Sequence, residues 1–456
     1  MGLIKREWTR DEVAARILAG DTLVVYNNAL LRIPQAWLDA HPGGALAILH
    51  FVGRDAADEI GAYHCDATLR GTESFIVPPI MTGWVRKISD DGSRVWYNEA
   101  QSIPSPSYLS SEILLVQKHS SLLEHDGPSF TSLVPPPTHL SLKVQAQHSA
   151  AYKKLHKCII DVGYGPEIAR YLLLAVSSAY AYSNNWLITS AICLGLLWHQ
   201  LVFTVHDLGH MGVTHDWTTD RLVAIILADF IGGLGVGWWV DNHNVHHLVT
   251  NHPSHDPDIE YLPLLAISTA FFNSLWSSYY KRTMVFDRLS AILVSLQHKL
   301  FYILLAFCRF NLYANAYGFL IRKAFDSRKA RSGRWYWLRG CGSWGNACPF
   351  HVQIVLSHFP MSTADLGPTE SFPHRQLRTT TDVTHHLFPR LPRHNLGEAS
   401  VLVKQFAKEQ GLVYAEFGFI RGNGEVLSVL KGVADQARIV GMVADSEIRE
   451  AMAKKD

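Results

Sequence analysis

The sequence predicts a small soluble α+β domain followed by an all-α domain embedded in a membrane. Three observations carry that prediction. Charged residues make up only 18% of the 456-residue chain, against 48% hydrophobic, whereas soluble domains average about 25% charged. Mean hydropathy is nevertheless only +0.04, too low for a wholly embedded transporter, so part of the chain is soluble. Two apolar runs, Arg170–Tyr182 and Trp186–Phe203, are separated only by Ser183-Asn184-Asn185, a polar turn that folds them into a hairpin. The 41 Lys+Arg against 40 Asp+Glu leave a formal charge of +1. That balance excludes a nucleic-acid binder, because phosphate contacts need a basic face. Six scattered cysteines do not form a disulfide framework and indicate a reducing compartment.

The elements follow in order. The N-terminal stretch MGLIKREWTRDEVAARI has no apolar h-region, so no secretory signal is expected there. Gly2 is followed by Arg6 where N-myristoylation requires Ser or Thr. Residues 1–95 form the soluble domain, with helical stretches at Asp11–Leu18, Ala45–Phe51 and Ala56–Tyr63 and a short strand at Leu23–Tyr26. Residues 96–145, with SIPSPS and LVPPPTH, read as a Ser/Pro-rich linker. The membrane domain then spans 146–430, and its second apolar run approaches the ~20 residues a spanning helix needs. A third apolar region, Leu289–Ile321, is interrupted by Gln297, His298, Lys299, Arg309, Asn311 and Asn315. It predicts one span at about 301–321 with an interfacial helix before it, or two spans if the helices are short and broken. Residues 431–456 read as a soluble tail.

The first chemical signal is His41-Pro42-Gly43-Gly44, followed by Phe51-Val52-Gly53-Arg54-Asp55-Ala56 and Tyr63-His64. Pro42 and the two glycines fix a tight turn. The separation of His41 from His64 leaves room for a helix, a turn and a returning helix. The pattern resembles the cytochrome b5 haem-binding domain, which implies haem b ligated by His41 and His64. With both axial positions filled by imidazole, such a domain carries electrons and does not bind oxygen.

The second signal is histidine itself. Nine of the 24 histidines fall from His199 to His255. His206 and His210 form HxxxH, and His243, His246 and His247 form HxxHH. His385-His386 follows in THHLFPRLPRHN. On a helix, residues i and i+4 share a face, so each box can address one metal, and imidazole suits Fe, Cu or Zn. His252 and His255 read as solvated loop residues.

Three such boxes, the first directly after an apolar hairpin, resemble the membrane fatty-acyl and sphingolipid desaturases. The fused cytochrome b5 domain points to their front-end group. HDLGHMGVTHDW, GWWVDNHNVHHLVTNHPSHDPDIEYLP, RFNLYANAY, HVQIVLSHF and HHLFPRLPRHNL are similar in particular to fungal sphingolipid Δ8-desaturases. The resemblance implies two non-haem irons held by His206, His210, His243, His246, His247, His385 and His386, with His358 of LSHF as an additional candidate. It implies O₂-dependent desaturation between C8 and C9 of a ceramide's long-chain base. Electrons from NADH would arrive through a separate cytochrome b5 reductase, since the chain has no Rossmann glycine fingerprint. The implied setting is the bilayer of the endoplasmic reticulum, with haem domain and histidine boxes facing the cytosol. A Δ5/Δ6 fatty-acyl desaturase shares every box, a hydroxylase uses the same scaffold, and a spliced or mis-assembled product would keep only the haem function.

The chain departs from that pattern twice. The front-end group carries QxxHH as its third box, whereas the residue three before His385 is Asp382, and TTTDV runs directly into THHLFP. Arg328–Phe350, RKARSGRWYWLRGCGSWGNACPF, is a short Arg/Gly/Trp-rich piece where relatives have membrane-spanning sequence. The third box reaches the side of the first two only if an even number of spans intervenes.

Overall fold

The computed structural model describes residues 8–27, 29–41, 43–64, 68–69, 84–88, 94–98, 142–159, 165–232, 235–325, 355–364 and 370–453. The linker expected at 96–145 lies largely outside them, as does the segment Arg328–Phe350. The chain divides into two compact units, Met1–Ser149 with Asp365–Phe372, and Ala150–Ala364 with Pro373–Asp456.

In the first unit, α1 (Arg10–Leu18) starts at a capping box. Glu12 N donates to Thr9 Oγ1 at 3.0 Å, and Thr9 N donates to Glu12 Oε2 at 2.9 Å, which satisfies two otherwise orphaned amides. Asp21 accepts from both Arg16 and Arg32 and ties the helix end to the sheet. Strands β1 (Leu23–Tyr26) and β2 (Ala29–Arg32) pair antiparallel, and Val13, Ile17, Leu23, Leu30 and Val52 form the core beneath them. Helix α2 (Gln35–Ala40) ends at His41, and after α3 (Leu46–Leu49), α4 (Ala57–Tyr63) ends at His64. A second hairpin joins β3 (Trp84–Ile88) to β4 (Arg94–Asn98). The expected strand and three helices are present. Strand β2, both strands of the second hairpin and α2 are additional, because four- to six-residue elements carry too little periodicity to stand out.

The second unit begins in α5 (Leu142–Cys158), which crosses the division. Helices α6 (Gly165–Ser183) and α7 (Leu187–Gly209) form the predicted antiparallel hairpin, turning at Asn184-Asn185 with Asn185 at φ +59°. Ser178 and Ser190 lock it reciprocally, each hydroxyl donating to the other's carbonyl at 3.0 and 2.9 Å. The outer faces carry exposed Leu172, Leu173, Val176, Ile188, Ile192 and Leu196, an apolar surface that water does not favour.

After α8 (Trp217–Ile225) and a π-helical turn at Ile226–Gly232 comes α9 (Val236–Leu248). Helices α7 and α9 approach closely at Gly209, where an added Cβ would lie 2.4 Å from the Trp239 ring. Gly209→Ala is therefore expected to displace Trp239 at the cost typical of overpacking, about 1–3 kcal/mol. Since Trp239 stacks on His243 with ring centroids 4.5 Å apart, the variant should also lose metal. Thermal unfolding and metal analysis of purified protein check both effects.

A two-residue hairpin, β5 (Trp276–Ser277) with β6 (Arg282–Thr283), precedes α10 (Arg288–Phe325). Here the sequence expectation is corrected. The third apolar region is one continuous helix with no break between an interfacial part and a span, and among the described residues its long apolar stretch is Arg288–Phe307. Gln297 does not break it, because the buried amide is fully used: Ala266 N donates to Oε1 at 2.8 Å, and Nε2 donates to the carbonyls of Ala266 and Leu430 at 3.0 and 2.8 Å. Among the described residues, Leu187–Gly209 and Arg288–Phe307 are the helices long and apolar enough to cross a membrane.

The chain closes with α11 (Phe372–Thr379), α12 (Val383–Leu387), α13 (Leu396–Glu409) and α14 (Phe419–Ala453). Helix α14 runs unbroken through position 430, where the sequence suggests a boundary. Its Val426, Leu430, Val433 and Ala437 share a core with Val294, Phe301 and Leu305 of α10.

Candidate functional site

The first unit brings His41 and His64 face to face, with ring centroids 6.0 Å apart. Imidazole nitrogens bond a first-row metal at ~2 Å, so that gap matches two rings flanking one iron. Gly44, at φ +82°, turns the backbone so that His41 Nδ1 donates to its carbonyl at 3.1 Å. His64 Nδ1 likewise donates to Ile60 O at 2.9 Å. Both tautomers are thereby fixed with the proton on Nδ1 and the lone pair on Nε2, the atom that can ligate a metal. Burial, with a smaller push from His64, lowers the His41 pKa to about 4, so the ring is neutral and able to ligate. The residues fit a bis-histidyl haem.

In the second unit the three boxes converge into two clusters. His206, His210, His243, His247 and His385 form one, and His246, His358 and His386 the other, with ligand atoms in each within 4.8 Å of one another. Helical geometry explains the division. Successive residues point about 100° apart, so the adjacent pair His246-His247 feeds both clusters while His243 and His247 stay on one face. His385 and His386, on α12, divide in the same way, their rings at 89°. His206 and His210 lie at the C-terminal end of α7, past the apolar run, with rings 4.9 Å apart.

Nitrogen positions support metal ligation. His206 Nε2 and His247 Nε2 each lie 3.0 Å from His243 Nε2, and His246 Nε2 lies 3.3 Å from His358 Nε2. Those gaps suit pairs of nitrogens that share one metal at ~2.1 Å. Both ring nitrogens of His210, Nε2 of His385 and Nδ1 of His358 are buried without a hydrogen-bond partner, and a buried unsatisfied group calls for an explanation such as a bound ion. His210, His243, His247, His358, His385 and His386 are all held well below the ordinary imidazole range. Burial is the main cause, and neighbouring imidazoles add to it. They are neutral bases, the form a metal takes.

His246 differs. Burial alone would lower its pKa, but the carboxylates of Asp256 and Asp258 outweigh that and raise it. Asp256, itself buried, accepts from His246 Nδ1 at 2.9–3.0 Å, from Asn251 N at 2.6 Å and from Asp258 N at 2.9 Å. Asp258 approaches Nδ1 of His243 and His246 only at 3.5 and 3.8 Å, behind the ligand face. Asp256→Asn is expected to weaken metal binding at this cluster ~10–100-fold, the usual effect of losing a carboxylate behind a ligating histidine. Metal titration of the purified protein checks it.

The third box is held from behind. Tyr152 of α5 donates to Leu387 O at 2.7 Å and stacks on Phe388. The last four carbonyls of α9, which a helix cannot satisfy internally, all find donors. Val245 O accepts from Val249 N, His246 O from Thr250 Oγ1, His247 O from Gln376 Nε2 and Leu248 O from Arg375 Nη1. Asn251 Nδ2 joins the carbonyls of His358 and Thr379 at 2.7 and 3.0 Å. His252 and His255 stack on each other, centroids 4.2 Å apart, outside both clusters. Asp382, where the third-box Gln was expected, is exposed at the start of α12.

Residues 9–86 match the family described as Cytochrome b5-like Heme/Steroid binding domain, and residues 184–362 the family described as Fatty acid desaturase. The chain is 36% identical to a "Delta 8-(E)-sphingolipid desaturase" of Komagataella phaffii, over 95% of this chain and 94% of the relative. A protein of the same name from Kluyveromyces lactis is also 36% identical, over 98% and 96%. The chain belongs to the cytochrome b5-fused desaturases. A "Delta(8)-fatty-acid desaturase 1" of Arabidopsis thaliana is 27% identical over 96% of the chain and 95% of the relative. No solved structure matches. The alignment with the K. phaffii protein runs over 513 positions, more than this desaturase has residues. That relative therefore carries stretches absent here.

Asp256, Gln376, Asn251 and Trp239 escaped the sequence reading. Asp256 had a weak signal in SHDPD, beside the second box, and Gln376 had none.

Proposed function

We propose that this desaturase is a sphingolipid Δ8-desaturase that acts on the long-chain base of ceramides. The observation that carries the reading is the convergence of His385 and His386 with the first two boxes, despite the shortened chain between them. It supports a working enzyme over a product that keeps only the haem function. The proposed ligands are His206, His210, His243, His247 and His385 for one iron and His246, His358 and His386 for the other, with His41 and His64 for haem b. Bound there, the two irons would supply O₂ activation that removes one hydrogen from each of C8 and C9, with two electrons entering through the haem, two protons taken up from solvent and two waters leaving.

The chain's own residues do the rest. Burial keeps the ligand imidazoles neutral and water away from them, and Asp256 fixes the His246 tautomer. The exposed apolar faces of α6, α7 and the first half of α10 suit acyl chains, so the substrate would enter sideways from the bilayer. We place the enzyme in the endoplasmic reticulum membrane with both sites on the cytosolic side, reduced by NADH through a separate cytochrome b5 reductase. Sphingolipid is favoured over fatty-acyl substrate because relatives named for sphingolipid reach 36% identity and those named for fatty acids 27%.

Expression in a host lacking Δ8-unsaturated sphingoid bases, followed by lipid profiling, tests the assignment. New Δ8-unsaturated bases are expected. New double bonds only in fatty acyl chains would transfer the enzyme to the fatty-acyl class.

A further inference from the structure

We propose that Gln376 is a positioning residue of the His246/His358/His386 cluster, reaching it from α11. Gln376 lies ten residues before His386, on a different helix, and is fully buried. Its amide has one orientation its partners allow. Nε2 can only donate, and it donates to His247 O at 2.8 Å. Oε1 can only accept, and it faces His386 Nδ1 at 3.0 Å. The proton of His386 therefore sits on Nδ1, and its Nε2 lone pair is left for the metal.

The same side chain ties the two clusters together. Its donor end holds the carbonyl of a residue in the first cluster, and its acceptor end orients a residue in the second. Thr250 closes the group, donating to His246 O at 2.8 Å while its Oγ1 lies 3.3 Å from His386 Nδ1. His386 stacks on His247 with centroids 4.0 Å apart, so a rotation of one ring is felt by the other. Asp256 does for His246 what Gln376 does for His386, one through a carboxylate and the other through an amide.

This rests on the reading that both clusters bind metal, and Co²⁺ titration of the full-length protein in detergent separates the two claims. Wild type should bind Co²⁺ at both clusters, with d–d absorption from each. Gln376→Leu should keep its haem spectrum and one Co²⁺ site, with affinity at the other ~10–100-fold weaker, the usual range for such a partner. Gln376→Glu keeps the acceptor for His386 but loses the donor to His247 O. It should bind the second Co²⁺ within a few-fold of wild type, which a purely structural role would not produce. Wild-type affinity at both sites in Gln376→Leu, or a loss in Gln376→Glu as deep as in the leucine variant, would overturn the proposal alone. No Co²⁺ bound by wild type would overturn the metal reading and this proposal with it.

Discussion

Replacing His247 with alanine is expected to abolish Δ8-unsaturated product while leaving the haem spectrum intact. His247 is fully buried and sits between the other histidines of the five-imidazole cluster, 3.0 Å from His243 Nε2 and stacked on His386. Losing a residue behind a ligand already costs about 10–100-fold, so losing the ligand itself should exceed ~100-fold. Non-haem iron should fall from two per haem towards one, since the three-imidazole cluster keeps all its members. Iron analysis and lipid profiling of the same preparation check both. Full activity in this variant would remove His247 from the ligand set, and loss of both irons would mean that the clusters do not fill independently.

Replacing His41 with alanine should produce the opposite pattern. The ring that His41 sets opposite His64 is one of the two axial ligands, and a single imidazole leaves the haem weakly held. The Soret band should disappear from the membrane fraction, product should fall at least as far as in the His247 variant, and non-haem iron should stay at the wild-type level. Persistent product would show that electrons reach the irons by a route that does not use this haem.

The parts of the site readable in sequence are those built from local geometry. HxxxH and HxxHH declare their shared faces through helical periodicity, and the turn at Gly43-Gly44 announces a close approach. The division of each HH pair between two metals is implicit in the same periodicity, yet it becomes visible only when the third box is placed. Gln297 looked like a span breaker because sequence shows its polarity and not its partners, which lie 31 and 133 residues away. Asp382 marked a missing glutamine by register, while the glutamine that does meet His386, Gln376, comes from another helix. Long-range pairing of this kind leaves no local pattern. Asp256 and Trp239 were hidden for the same reason: each acts through a partner whose proximity the fold creates.

The proposed function requires that this chain assemble two separate metal clusters and also hold a haem. The most direct test is the ratio of non-haem iron to haem in the full-length protein, purified in detergent after expression with iron supplied. Two non-haem irons per haem, both absent from a variant lacking His243, His246 and His247, is the predicted result. A protein with a full haem complement and no non-haem iron would contradict the account and leave an electron-transfer domain joined to an empty scaffold.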